Sequence, residues 1–430
     1  MSVQCEGTTK ENKRCKRKTK TGKYCVTHRK QEVLILQLSN EDNWKKSLPL
    51  KEYGFGKRGY SVTEGLYTSE ELKRLEKSIL DDIQNIVFTN RNIDYQLTDY
   101  KSLQVFTDPF YRKEVLENVN SVWKNGNSRQ PFLSKSVGMI NIHYNKDVFD
   151  LIHMNERPYR ILSHLYGTEH LVHRVGPERF GMKIKGSVNM SKHIDANLWH
   201  KEVNYPERVQ ALICVQIPDD VQPRNSGTLE LLLGFNQIWD FTSALFHPSS
   251  GLIPMPDCKD RFQRLPSDFD SKYLPELIKY AEKYRNFLHS SDQKEDEVVL
   301  EFFKRLQKNN ITVPPRDVEI KWTAIRCKPG ALIAWDQRLP HRNLRNTSET
   351  PRIAVYYGLY PVTENYYGSE EHLWLRRMFE REEFYYSINA GKYPTKVVNI
   401  EEKKHRDGLE IQEFCQTELA KKLTSEISWF

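Results

Sequence analysis

The sequence predicts a mainly β fold with flanking helices: a double-stranded β-helix, or jelly-roll, core with a small N-terminal module, a helical insertion and a C-terminal helical extension. Three observations predict it. Short runs rich in aliphatic and β-branched residues recur along the chain, among them residues 209–217 (VQALICVQI) and 228–233 (TLELLL). Helical patterns with recognisable start and stop signals stand beside those runs. The polar sequences His193-Ile194-Asp195 and Leu339-Pro340-His341 fall at strand ends, and the mouth of such a barrel is a natural ligand site.

Residues 1–30 carry Cys5, Cys15, Cys25 and His28, spaced C-x9-C-x9-C-x2-H. Three thiolates and one imidazole make a closed tetrahedral set for structural zinc. So short a segment, almost without large apolar side chains, cannot bury a core, and metal binding would be its folding energy. Ten Lys/Arg against two Glu make it strongly basic, while the remaining 400 residues are balanced at 55 basic and 55 acidic. The whole net charge of +8 therefore belongs to this module. It is suited to nucleic-acid phosphates or another acidic partner, and equally to a solvated tail.

Residues 31–58 read as a linker. In residues 68–71 (TSEE) the Thr and the last Glu form a capping box, and Leu72, Leu75, Ile79, Ile83 and Ile86 follow at helical spacing, predicting a core-facing helix. Residues 137–143 suit a strand, and residues 148–166 read as one or two helices closed by Gly167. Strands follow at 171–173, 180–185, 209–217 and 228–233. Residues 236–317 break the strand rhythm with Pro-rich and then helical sequence, as an insertion between strands would. Strands resume at 318–325, 331–335 and 353–360, and charged, aromatic helical sequence fills 366–430.

No run of 18 apolar residues occurs, so no membrane span is expected. The first residues lack an apolar leader, and seven cysteines are an odd number. A reducing, cytoplasmic or similar intracellular location is expected rather than secretion.

The chemistry is concentrated in a few side chains. His193 and Asp195 are two positions apart, so on a strand they share a face and converge on one metal ion. His341 is the best-placed third ligand. Two histidines and one carboxylate leave open coordination positions, the set used by non-heme Fe(II) oxygenases. Arg352 supplies a planar, permanently charged fork for a carboxylate. His200, His143, His153, His164, His170 and His173 lack a comparable spacing.

Four blocks between residues 59 and 362 resemble the phytanoyl-CoA dioxygenase-like branch of the Fe(II)/2-oxoglutarate oxygenases. They are residues 59–75 (GYSVTEGLYTSEELKRL), His193-Ile194-Asp195, residues 225–231 (NSGTLEL) and residues 327–358 (CKPGALIAWDQRLPHRNLRNTSETPRIAVYYG). The resemblance implies a jelly-roll oxygenase domain over 59–365, with His193, Asp195 and His341 as iron ligands and Arg352 at the distal carboxylate of 2-oxoglutarate. It also implies cosubstrate contacts for Asn343 and Lys185, and O2 as oxidant. The sequence departs from the family at Gly234-Phe235-Asn236, which replaces its "GSH" turn, and at Ile194. Residues 1–30 resemble a Cys3His zinc module found appended to viral and bacterial proteins. The expected activity is hydroxylation of a protein side chain, a small metabolite or a nucleobase. The competing expectation is a nucleic-acid or partner-binding protein with a catalytically idle barrel.

Overall fold

The computed structural model describes residues 58–89, 92–115, 145–173, 180–195, 209–255, 263–289, 295–312, 319–369 and 417–430, with shorter pieces elsewhere. Cys5, Cys15, Cys25 and His28, the strand expected at 137–143, His143, His200 and most of the extension expected after 366 lie outside the described residues.

Eleven strands build two sheets: β1 (Ile35–Gln37), β2 (Tyr60–Glu64), β3 (Phe180–Lys183), β4 (His193–Ile194), β5 (Val209–Gln216), β6 (Leu229–Leu233), β7 (Gln263–Arg264), β8 (Lys321–Ala324), β9 (Ala331–Asp336), β10 (His341–Asn343) and β11 (Arg352–Tyr357). One sheet has the order β1-β2-β9-β5-β11-β3 and the other β7-β4-β10-β6-β8. Every pairing in them is antiparallel except β1 with β2. From β3 to β6, and again from β8 to β11, successive strands of the core alternate between the sheets, which wraps the chain around one interior.

Period-2 alternation sorts the side chains. On β5, Leu212 and Cys214 face the interior shared with Leu231 of β6 and Ile333 of β9. Ala211, Ile213 and Val215 face the opposite way, under α1 (Ser69–Ile83) and α2 (Glu156–Tyr166). α1 begins and α2 ends where the sequence signals. Thr68 and Glu71 close a reciprocal capping box, and Gly167 ends α2 in the left-handed region at φ 71°. Leu75, Ile79 and Ile83 are the buried stripe of α1. Each such burial contributes about 1.5–3 kcal/mol.

The segment 236–317 lies between β6 and β8, which pair directly, so it is a long excursion from a hairpin. It carries α3 (Trp239–Phe246), α4 (Leu274–His289) and α5 (Glu297–Lys308). Phe241, Phe246, Tyr284 and Phe303 of these helices share a core with Ile194 and Leu232, which stand on the outer face of the five-stranded sheet. The excursion also supplies β7, which pairs with β4 at the sheet edge. Among the described residues no helix is long and apolar enough to cross a membrane.

Candidate metal centre and its cation pocket

The five-stranded sheet brings His193, Asp195 and His341 together. His193 on β4 lies directly across from His341 on β10, and the two rings are 4.2 Å apart. Ile194 points to the opposite face and is fully buried, which turns Asp195 back to the side of His193. His341 Nε2 is 3.6 Å from Asp195 Oδ2, and His193 Nε2 is 3.9 Å from Asp195 Oδ1. One donor atom from each of the three lies within 4.8 Å of the others. Bonds of about 2.0–2.2 Å at right angles separate donors by about 3 Å, so a small inward movement closes the set on an ion.

Both histidines are oriented alike. Nδ1 of His193 bonds the Ser191 carbonyl at 2.8 Å, and Nδ1 of His341 bonds the Leu339 carbonyl at 3.0 Å. Each carbonyl accepts from an Nδ1–H, which leaves the Nε2 lone pair facing Asp195. Burial, then the neighbouring His193, lowers the His341 pKa to about 4, so the ring is neutral near pH 7, as a metal ligand must be. Asp195 Oδ2 accepts a 2.6 Å hydrogen bond from Gln210 Nε2 on β5. The Asp195 side chain retains 28% exposure, so the centre is open on its side.

Arg352 begins β11 on the six-stranded sheet. It is fully buried, and none of its three guanidinium nitrogens has a hydrogen-bond partner. An unpaired buried charge is costly and marks a place where an anion fits. Lys183 of β3 stands directly across from Arg352 and is also fully buried. Its Nζ donates to the Val188 carbonyl at 2.7 Å. Burial, then the Arg352 charge, pushes the Lys183 pKa down to about 8. The Cys214 thiol on β5 has its pKa drawn down by hydrogen bonding with Cys327 and, more weakly, by Arg352.

Glycine keeps this pocket open. A Cβ on Gly227, at φ 75°, would lie 2.7 Å from Lys183 Cβ, and one on Gly181 would lie 2.9 Å from Arg352 Nη1. Asn343 and Tyr356 connect the pocket to the triad. Asn343 shares a strand face with His341, and its Nδ2 donates to the Tyr356 hydroxyl at 3.3 Å and to Met190 Sδ at 3.4 Å. Its buried Oδ1 has no hydrogen-bond partner. The Tyr356 hydroxyl would lie 3.5 Å from the same Gly181 Cβ.

The structure does not bring Lys185 to this site. Gly186, at φ 77°, turns the chain just after β3, and exposed Lys185 pairs with Glu349 at the surface. His153 and His173 are buried on the outer side of the six-stranded sheet, where His173 Nε2 bonds the His153 carbonyl at 2.7 Å. Sequence reasoning missed Lys183, Gln210 and Tyr356. Lys183 and Gln210 had a signal: each is a polar residue inside an otherwise apolar strand run.

No family model matches the chain, and no curated protein matches it significantly. Solved structures do. A Salmonella typhimurium LT2 protein provisionally named an oxidoreductase is 11% identical, covers 93% of this chain and 88% of its own, and superposes with a TM-score of 0.53. The hypothetical protein JW0805 of Escherichia coli is 9% identical over 93% and 88%, with a TM-score of 0.52. At these identities the likeness is one of fold. A looser likeness, TM-score 0.40 and 14% identity over 77% of this chain and 81% of that one, links the chain to EctD from S. alaskensis, solved with 2-oxoglutarate and 5-hydroxyectoine.

Proposed function

We propose that this chain is an Fe(II)/2-oxoglutarate-dependent dioxygenase that hydroxylates its substrate, built on a jelly-roll core of the phytanoyl-CoA dioxygenase-like kind. One juxtaposition carries the reading: an open His-Asp-His set and a buried guanidinium without a hydrogen-bond partner share one interior. The donor set fits iron, with two imidazole nitrogens, one carboxylate and open positions. The pocket fits a dicarboxylate that reaches from the ion to a cation. His193, Asp195 and His341 would hold Fe(II), and Arg352 with Lys183 would receive the far carboxylate. Bound iron, 2-oxoglutarate and O2 supply oxidative decarboxylation to succinate and CO2, coupled to oxygen transfer into a substrate C–H bond.

The chain's own residues set the conditions for that chemistry. The Ser191 and Leu339 carbonyls fix both imidazoles in the ligating tautomer. Gln210 holds one Asp195 oxygen and orients the carboxylate. Two buried cations facing each other are unfavourable until an anion arrives, so the dicarboxylate relieves a cost the fold already carries. Leu212, Leu231 and Ala354 line the shared interior and keep water from the cosubstrate. Residues 1–30 enter this reading as a zinc-stabilised basic module that tethers the enzyme to an acidic partner or nucleic acid.

The test is substrate-free succinate release from purified protein given Fe(II), 2-oxoglutarate and O2. Release above a metal-free control is expected, with more than 100-fold loss in His193→Ala and Asp195→Ala, since even outer-shell partners of a metal cost roughly 10–100-fold. Undiminished release in either variant, or none from the wild type, removes the reading.

A further inference from the structure

The strand that the excursion adds to the five-stranded sheet has a consequence for the substrate. In the register of β7 against β4, Arg264 is opposite His193 and Gln263 opposite Ile194. Directly opposed residues of an antiparallel pair lie on the same face. Arg264 therefore stands on the face that carries the metal ligands, while Leu265 beside it is buried in the core behind. The spacing is the closer of the two the ladder offers. Leu265 N donates to the Lys192 carbonyl at 3.0 Å, which makes 192 and 265 a hydrogen-bonded pair and 193 and 264 the non-bonded pair next to it. In such pairs the Cβ atoms are about 4.5–5.5 Å apart. His193 is thus flanked across the sheet by His341 on one side and by Arg264 on the other.

Arg264 differs from the other cations of this sheet. Lys192 pairs with Asp270, and Arg342 and Arg224 both pair with Glu230. Nearby, Arg338 pairs with Asp336. Arg264 is exposed, and among the described residues it has no ion-pair or hydrogen-bond partner. Its neighbours on the ligand face are two histidines and Leu231, with Asp195 committed to the triad. A permanently charged fork beside an open metal centre, held by no carboxylate of its own, selects an anion in the approaching molecule.

We infer that Arg264 is a specificity-determining residue of this site and that the substrate carries an anionic group, a carboxylate or a phosphate, close to the carbon that reacts. The inference rests on the dioxygenase reading and adds the substrate's charge to it. It also accounts for segment 236–317, whose helices cover the back of the sheet and whose short strand presents the recognition group at the front.

The experiment uses the full-length protein loaded with Mn(II) in place of Fe(II) and saturated with 2-oxoglutarate. The probes are methylphosphonate, followed by its 31P relaxation, and acetate, followed by its methyl-proton relaxation. Both nuclei relax faster when held near Mn(II). Enhancement is expected for at least one probe, with a fall of fivefold or more in Arg264→Ala, a further fall in Arg264→Glu and partial rescue in Arg264→Lys. The probe showing the larger Arg264-dependent effect tells phosphate from carboxylate. Equal enhancement in wild type and Arg264→Ala, or none in the wild type with Mn(II) bound, overturns the inference. Mn(II) titration of His193→Ala separates the two levels: unchanged Mn(II) affinity there removes the metal centre itself, whereas lost affinity there with no Arg264 effect removes only the anion.

Discussion

The two sheets hold their functional side chains in different ways. The candidate ligands of the five-stranded sheet sit on or beside two of its short strands, β4 with two residues and β10 with three. Strands that short fix little, and each histidine is held instead by its own ring hydrogen bond to the carbonyl two residues earlier. The cations of the six-stranded sheet sit where β11, with six residues, pairs with β3. A bulge between Ile353 and Ala354 lies next to Arg352, and glycines clear the room it needs. No hydrogen bond orients the guanidinium. Direction matters for a metal ligand and is set by a bond at the side chain. Position matters for a charge and is set by the ladder, so the same kind of substitution should act oppositely on the two sheets.

Arg352→Met tests that contrast most severely. Removing a buried charge that lacks a partner leaves an apolar side chain of similar length, which is neutral or stabilising. The midpoint of thermal unfolding should hold or rise, while KM for 2-oxoglutarate in the succinate assay rises roughly 100-fold, from the 2–5 kcal/mol such a charge pair carries. Added 2-oxoglutarate should raise the wild-type midpoint and leave the variant's unmoved. A variant that loses stability and keeps its KM would show that Arg352 is structural. For the His-Asp-His set of the five-stranded sheet, Gln210→Ala removes the bond that β5 of the facing sheet gives to Asp195 Oδ2. Iron affinity, read by metal titration, should fall roughly 10–100-fold, with KM for 2-oxoglutarate at saturating iron little changed. If iron affinity holds and KM shifts, the division between the ligand set and the cation pair fails.

How much of this was legible depends on the range over which each feature is encoded. The shared face of His193 and Asp195 follows from the two-residue period of a strand and needs nothing beyond the local sequence. The arrival of His341 and Arg352 in the same interior needed the resemblance, because no local pattern brings together residues some 150 positions apart. Lys185 shows where periodicity stops. Gly181, Lys183 and Lys185 alternate onto one face only while the strand lasts, and β3 ends at Lys183. The ending is long-range: Asn346 Nδ2 donates to the Lys183 carbonyl, and Gly186 N to the Asn346 carbonyl. The break in strand rhythm at 236–317 was visible, and α3, α4 and α5 lie within it. β7 was not visible, because two residues are too few to show a period.

Lys183 sharpens the comparison by the smallest effect, and pH makes it readable. Its folded pKa of about 8 lies below the roughly 10.4 of an unfolded lysine. Between those values the unfolded chain binds more protons, so stability rises with pH across that window, and below about pH 8 the cost of the buried ammonium is fully present. Lys183→Met should therefore be more stable than wild type at pH 7, with the difference closing as pH approaches 10. Cosubstrate binding runs the other way. Only the protonated amine attracts a carboxylate, so wild-type KM for 2-oxoglutarate should rise above pH 8 and level off about tenfold higher in all. The variant should start about tenfold higher at pH 7 and stay flat through that range. A parallel rise in the variant would assign the titration to another group and leave Arg352 to hold the far carboxylate alone. A flat variant beside a rising wild type would place both cations on the same anion, the ladder across β3 and β11 having set them face to face.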